Sequence, residues 1–259
     1  MTHPWFEGVT TPRILAHRGL VTPEDAAHAV AENSFAAVAA AHAAGCDYIE
    51  SDCHLTADGV VVLFHDSDLS RVTGDPRPVS AVSAAELDAL MAEHGGLITL
   101  AQALDAFPAV RFNLDVKALA VATPVGTLVA PHGDRVLITS FSDDRRREAL
   151  AAASRAGPGI RPATSAGTAT IRRLLTALGA RSERLVRRAL TGIEAVQVPE
   201  RHRGIRILTP RLIAAAHRHD VEVHVWTIND PAEMRRLVDM GVDGIVTDRA
   251  DLALETLRA

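Results

Sequence analysis

Short β-branched runs with a period of two recur along the chain, and Ala/Leu-rich stretches with helical spacing lie between them. RILAHRG (13–19) is followed by SFAAVAAAHAAG (34–45), and YIESDCHLT (48–56) opens the next unit. The rhythm continues through RFNLDVK (111–117), RVLITSF (135–141), GIRPATS (159–165), EAVQVP (194–199), VEVHVWTIN (221–229) and DGIVTD (243–248), which makes eight strand segments. Strands alternating with helices imply parallel pairing through crossover helices, and eight such strands predict a closed (β/α)8 TIM barrel with its chemistry at the C-terminal strand ends. An open doubly wound sheet is the alternative. It calls for a glycine-rich phosphate loop after the first strand, and HRGLVTPED (17–25) lacks that spacing.

VVLFHD (61–66) stands apart from the eight, because Asp58-Gly59 before it signals a two-residue hairpin. That turn predicts an antiparallel return in which Asp52 faces His65. Residues 66–98, ahead of the helix ITLAQALDAF (98–107), then read as a small insertion after the second strand, lying over the barrel mouth. The chain 1–259 is expected to form one domain. Its 47% hydrophobic content suffices for a single large core.

Charge and composition narrow the function. The net charge of -5 and the lack of a basic tract interleaved with aromatics speak against a nucleic-acid partner. MTHPWFEGVTTPRIL has neither the basic start nor the apolar stretch of a secretory leader, and no run approaches the roughly 18 apolar residues of a transmembrane segment. A cytoplasmic location is the expectation. Cys46 and Cys53 read as buried thiols. RRLLTALGARSERLVRRAL (172–190) reads as one basic amphipathic helix on the outside of the barrel.

Candidate chemistry concentrates at the predicted strand ends. Glu50 and Asp52 share a face by the two-residue period, and Asp115 ends the neighbouring strand. Burying such carboxylates is costly unless a cation or a hydrogen-bond network compensates them. Hard oxygen donors suit Mg²⁺ or Ca²⁺, whereas zinc would call for a close His/Cys quartet that the sequence lacks. His17 and His65 can serve as an acid/base pair, since imidazole titrates near neutrality. Arg18 supplies a fork and Lys117 a point charge for phosphate oxygens, the equipment of a phosphodiester site. His54 reads as a rim residue, Trp226 as part of the substrate pocket, and His217 and His219 as surface residues at a helix end.

AHRGL (16–20), AENSFAAVAAAHAAGCDYIESDCHLTADGVVVLFHDSDLSRVTG (31–74), FNLDVK (112–117), VHVWTIND (223–230) and GVDGIVTDRADL (241–252) follow one another in an order and spacing that resemble the glycerophosphodiester phosphodiesterases. The resemblance spans nearly the whole chain. It implies the (β/α)8 barrel, His17 and His65 as catalytic groups, and Glu50, Asp52 and Asp115 as ligands of a divalent cation. Arg18 and Lys117 match phosphate-contacting residues, and Glu32 and Asn33 carry over as substrate-binding positions. The implied reaction is metal-dependent hydrolysis of a small glycerophosphodiester to sn-glycerol 3-phosphate and an alcohol. Three departures stand out: the proline usual before Glu32 is absent, the loop between His17 and Glu32 is longer, and Asp115 occupies a position where glutamate is commoner. Two other readings remain open, a phospholipase D-like enzyme acting on lysophospholipids or sphingolipids, and a non-catalytic barrel that binds phosphodiesters.

Overall fold

The computed structural model describes residues 3–258. Eleven strands form among them: β1 (Arg13–His17), β2 (Tyr48–Leu55), β3 (Val61–Leu63), β4 (Arg111–Val116), β5 (Val136–Thr139), β6 (Ala163–Thr164), β7 (Ala195–Val198), β8 (Arg201–His202), β9 (Ile205–Arg206), β10 (Glu222–Val225) and β11 (Gly244–Thr247). Each of the eight segments expected from the sequence contributes one strand to a parallel sheet in the order β6-β5-β4-β2-β1-β11-β10-β7. The two ends of that order meet. Ser165 bridges Ala195 in parallel, Ala166 N–H donates to the Ala195 carbonyl at 3.0 Å, and Glu194 N–H donates to the Thr164 carbonyl at 3.0 Å. The sheet therefore closes into a (β/α)8 barrel.

Local sequence explains where the outer helices begin. Ser34 accepts from Ala37 N–H to cap Phe35–Ala43, Thr209 caps Pro210–His217, and Asp230 caps Pro231–Asp239. Each satisfies a first-turn donor that would otherwise lack a partner, and the prolines at the starts lose nothing there because those N–H groups have no helical acceptor. The main core of aliphatic side chains fills the space between strands and helices. A second cluster, with Trp5, Phe6, Leu15, Tyr48, Leu137 and Val246, fills the barrel interior from its N-terminal end. Trp5 is fully buried there and its Nε1–H donates to the Phe112 carbonyl at 3.1 Å.

Two expectations need correction. The hairpin pairs Cys53 with Leu63, His54 with Val62 and Leu55 with Val61, so Asp52 lies opposite Phe64 instead of His65. The loop has three residues, 57–59, closed by Thr56 N–H to the Val60 carbonyl at 3.0 Å. Gly59 takes the left-handed conformation, φ 82°, that a three-residue hairpin requires. Thr56 selects this loop: its hydroxyl donates to Asp58 at 2.6 Å and accepts from Val60 N–H at 3.0 Å. The shift sends Phe64 into the apolar cluster of the insertion, with Leu69, Val79, Val82, Leu87 and Met91. The second correction concerns 172–190. The helix breaks into Thr168–Gly179 and Glu183–Leu190, with Arg181 left-handed at φ 53° and Ser182 capping the second piece. Its basic residues therefore do not share one face, and the first piece turns Ile171, Arg172 and Leu175 toward the cavity at the barrel mouth.

Candidate active site

A cavity of about 400 Å³ opens at the C-terminal ends of the strands. One side is polar. His17, Arg18, Glu50, Asp52, His65, Asp115 and Lys117 all line it, so residues spread over a hundred positions of sequence converge as expected. Trp226 lines it too, with its ring edge-on to Phe141 at 5.8 Å between centroids.

His17 ends β1, and its Nδ1 lies 2.6 Å from Asp248 Oδ1 at the end of β11. Asp248 is itself held, by Asn229 Nδ2 at 2.7 Å and by its own N–H on Asn229 Oδ1. A carboxylate can only accept, so Nδ1 carries the proton and Nε2 is left for other work. Burial opposes charge on this imidazole, but the Asp248 hydrogen bond and the Glu50 carboxylate outweigh it and raise its pKa. His65 repeats the arrangement, with Nδ1 2.7 Å from Asp66 Oδ1 and Arg71 Nε 2.6 Å from Asp66 Oδ2. His54 does not enter the cavity; its Nε2 meets the His65 carbonyl at 3.1 Å and fixes the backbone there.

Glu32 and Asn33, expected at the substrate, do not line the cavity. They brace it from behind. Glu32 Oε1 accepts from Arg18 at 2.8 Å and Arg71 at 2.6 Å, so it ties the β1 turn to the insertion. Asn33 is buried, donates to Asp52 Oδ2 at 3.0 Å, and accepts from the Ser51 hydroxyl. The turn that places Arg18 is tight. Arg18 is left-handed at φ 59°, and a Cβ on the following Gly19 would stand 2.6 Å from the Ala37 carbonyl group. The insertion 66–98 supplies no lining residue and reaches the site through Asp66, on His65, and Arg71, on Glu32 and Asp66.

The carboxylates are unequal. Lys117 Nζ lies 2.7 Å from both Asp52 Oδ1 and Asp115 Oδ2, and Arg18 Nε lies 3.1 Å from Asp52 Oδ2. Despite burial, Lys117 and Arg18 hold the Asp52 pKa below its usual range, while burial raises that of Asp115. Glu50 is less well compensated, its nearest cationic partner being His17, whose Nε2 lies 3.8 Å from Oε2. Burial and the Asp52 charge push its pKa up to about 8, and its Oε2 is buried without a hydrogen-bond partner. Asn113, its register neighbour on β4, also has an unpartnered buried Oδ1. With Lys117 between Asp52 and Asp115, no group of three or more His, Cys, Asp or Glu among the described residues stands ready as a metal site.

Beneath the mouth runs a network that the sequence did not disclose. Arg13 pairs with both oxygens of Glu222 at 2.7 Å, Glu222 Oε2 lies 3.1 Å from His224 Nε2, and His224 Nδ1 lies 3.2 Å from Gln197 Nε2. The guanidinium pairs with Glu222, and beside that carboxylate His224 is fully buried. It donates to Glu222 from Nε2 and accepts the Gln197 amide at Nδ1. Gln197, a lining residue, thus has its amide nitrogen engaged and its carbonyl oxygen free for the cavity.

No role was assigned from sequence to Asp248, Arg71 or Gln197, nor to Asp66 as the partner of His65. Two were within reach: Asp66 directly follows His65, and barrel closure sets the end of the last strand, Asp248, beside His17. His217 and His219 pair with Asp243 and Glu183 on the exterior, as a surface role requires. Cys46 and Cys53 are buried and free. No helix among the described residues is long and apolar enough to cross a membrane.

Comparison with known proteins places this geometry. The model of the Glycerophosphoryl diester phosphodiesterase family matches residues 17–252. A probable glycerophosphodiester phosphodiesterase 2 of Mycobacterium tuberculosis is 36% identical over 248 residues, covering 95% of this chain and 90% of the relative. A lysophospholipase D of Rattus norvegicus is 24% identical, covering 84% of this chain and 79% of the relative. Among solved structures, a putative glycerophosphoryl diester phosphodiesterase from Silicibacter pomeroyi has the same fold, with a TM-score of 0.76 at 22% identity over 99% of this chain and 97% of that one. A phosphodiesterase from Oleispira antarctica, solved with the product sn-glycerol-3-phosphate, gives a TM-score of 0.71 at 21% identity over 96% of this chain and 98% of that one. Since the family match begins at His17 in the first barrel strand and runs past Asp248 at the end of the last, the chain belongs to the glycerophosphoryl diester phosphodiesterase family.

Proposed function

We propose that the chain hydrolyses glycerophosphodiesters to sn-glycerol 3-phosphate and an alcohol, with His17 and His65 moving the protons. The observation that carries this reading is the pair of imidazoles lining one cavity, each tied through Nδ1 to its own carboxylate. A neutral imidazole so held takes a proton at Nε2, and a protonated one gives it back there. One histidine removes the proton of the attacking hydroxyl as its oxygen bonds to phosphorus; water gives sn-glycerol 3-phosphate directly, whereas the substrate's glycerol 2-hydroxyl gives a cyclic 1,2-phosphate that a water then opens. The P–O bond to the alcohol breaks, and the other histidine protonates the departing oxygen. Arg18 and Lys117 meet the phosphate oxygens, where charge stabilisation accounts for much of the rate.

Glu50, Asp52 and Asp115 offer the hard oxygen donors that Mg²⁺ or Ca²⁺ prefers. The unpartnered Glu50 Oε2 fits such an ion, because a buried carboxylate oxygen with no donor is otherwise costly. When bound, the cation would neutralise phosphate charge. Lys117 competes with it for Asp52 and Asp115. The buried, unpaired cysteines suit a reducing cytoplasm.

One observation favours a second substrate class. The side of the cavity facing the cations is apolar, built from Phe141, Ile171, Leu175, Ile207 and Trp226, and it suits the single acyl chain of a lysophospholipid. Turnover of glycerophosphocholine and lysophosphatidylcholine, each with and without chelator, decides between these readings. The primary reading expects the deacylated diester to be the better substrate and chelation to stop the reaction. Activity unchanged by thorough chelation removes the cation, a preference for the lysolipid supports the second class, and binding without turnover of either supports a non-catalytic barrel.

A further inference from the structure

β8 and β9 form a hairpin after β7, pairing Arg201 with Arg206 and His202 with Ile205. All of 201–206 is exposed. Ile205, at 68%, is the most exposed large apolar side chain among the described residues, followed by Leu119 at 62% and Phe141 at 60%. A single exposed apolar residue needs no explanation. These three share a location: Leu119 follows the C-terminal end of β4, Phe141 that of β5, and Ile205 sits opposite His202, which lines the cavity with Phe141. The most exposed apolar groups therefore follow strand ends on the mouth side of the barrel, Phe141 lining the cavity itself and Ile205 pairing with a lining residue.

The charges there run against the chain's net -5. Arg172 lines the cavity, Arg201, Arg203 and Arg206 belong to the hairpin whose His202 lines it, and Arg172 and Arg203 have no ion-pair partner among the described residues. Arg206 approaches Glu200 at 3.5 Å, but that carboxylate is held more closely by Arg236 at 2.8 Å. Inside the rim the cavity continues apolar along Ile171, Leu175 and Ile207.

We propose that this rim docks on an anionic phospholipid bilayer, with Ile205, Leu119 and Phe141 entering the interface and the arginines meeting lipid phosphates. Apolar tips flanked by long cationic side chains match the layering of a membrane surface, acyl chains beneath phosphates. A nucleic acid or an acidic protein would answer the arginines and leave the apolar tips in water. The docked orientation turns the cavity mouth toward the lipid, so an amphipathic diester reaches the site directly from the surface. The docking does not rest on the diesterase reading, and its test is read without turnover.

The full-length protein is sedimented with vesicles of phosphatidylcholine alone and of phosphatidylcholine mixed with phosphatidylglycerol, at low and high salt. Binding should appear on the mixed vesicles and weaken with salt. Arg203→Gln should lower affinity roughly 5-fold, the effect of one surface cation, and Ile205→Asp should remove binding. Both variants should keep the wild-type melting midpoint and circular dichroism, which confirms that they fold. No binding to mixed vesicles, equal binding to neutral ones, or an Ile205→Asp variant that binds like wild type overturns the proposal. Binding to heparin or an oligonucleotide that is stronger than to mixed vesicles, and indifferent to Ile205→Asp, overturns it in favour of a soluble polyanion.

Discussion

His65 and Asp52 lie close in the structure yet should fail differently when replaced. Asp52 holds Lys117, Arg18 and Asn33 together and is a proposed cation ligand, whereas His65 is bound to Asp66 and the His54 side chain. His65→Ala should lower kcat roughly 10²- to 10⁴-fold, the usual loss for a proton-transfer group, and leave cation affinity by calorimetry nearly unchanged. His17→Ala should resemble it. Asp52→Ala should lose both cation and turnover, with residual activity rising as cation is added. A His65→Ala protein that loses the cation would refute these roles. Asp248→Asn probes orientation: the amide can turn its NH₂ toward Nδ1 and reverse the tautomer, so kcat should fall roughly 10²-fold or more with little change in KM. A KM effect alone would make Asp248 merely structural.

At the scale of elements, β11 decides how the neighbouring strands β1 and β10 communicate. Gly244 pairs with Arg13 on one side and His224 on the other, and a Cβ there would stand 2.7 Å from His224 Cδ2. With no side chain between them, Arg13, Glu222 and His224 meet inside the barrel. Gly244→Ala should displace a fully buried imidazole and cost about 1–3 kcal/mol, read as a lower denaturant midpoint at unchanged slope. Because His224 holds the Gln197 amide, the variant should also raise KM. Wild-type stability in Gly244→Ala would mean that the imidazole has room to move. The β2–β3 hairpin carries a related lesson: a Thr–Asp network, more than the Asp-Gly pair itself, selects the loop and so the register.

For the whole molecule, the Arg13–Glu222 pair joins the first barrel strand to the seventh beside the aromatic plug of Trp5, Phe6 and Tyr48. Burial alone would raise the Glu222 pKa, but His224 and Arg13 outweigh it and depress it to about 2. A depressed carboxylate stabilises the fold fully above its ordinary pKa of 4.5, and that contribution is lost as pH falls from there through about 2. Thermal melts of wild type and Glu222→Gln should therefore differ most near neutral pH, where the variant leaves Arg13 buried and unpaired. The gap should narrow steadily below pH 4.5. A gap that stays constant into the acid range would show that packing at Glu222, not its charge, supplies the stability.

The sequence by itself determined the eight barrel strands, because alternation of buried and polar positions is a local property and each run ends in turn-forming residues. It also determined that His17, Arg18, Glu50, Asp52, His65, Asp115 and Lys117 gather at one mouth, since parallel strands place their C-terminal ends together. Tertiary structure decided the partners. Asp248 meets His17 only through closure of the barrel, and Glu32 and Asn33 became braces because a tight turn at Gly19 sets them behind Arg18. Lys117 joins Asp52 to Asp115 only because β2 and β4 pair in that register. The break at Arg181 and the one-residue shift of the β2–β3 hairpin likewise depended on competition among hydrogen bonds and core positions. Periodicity carries face and order, while register and ion pairing are fixed only when distant residues compete for the same donors, acceptors and space.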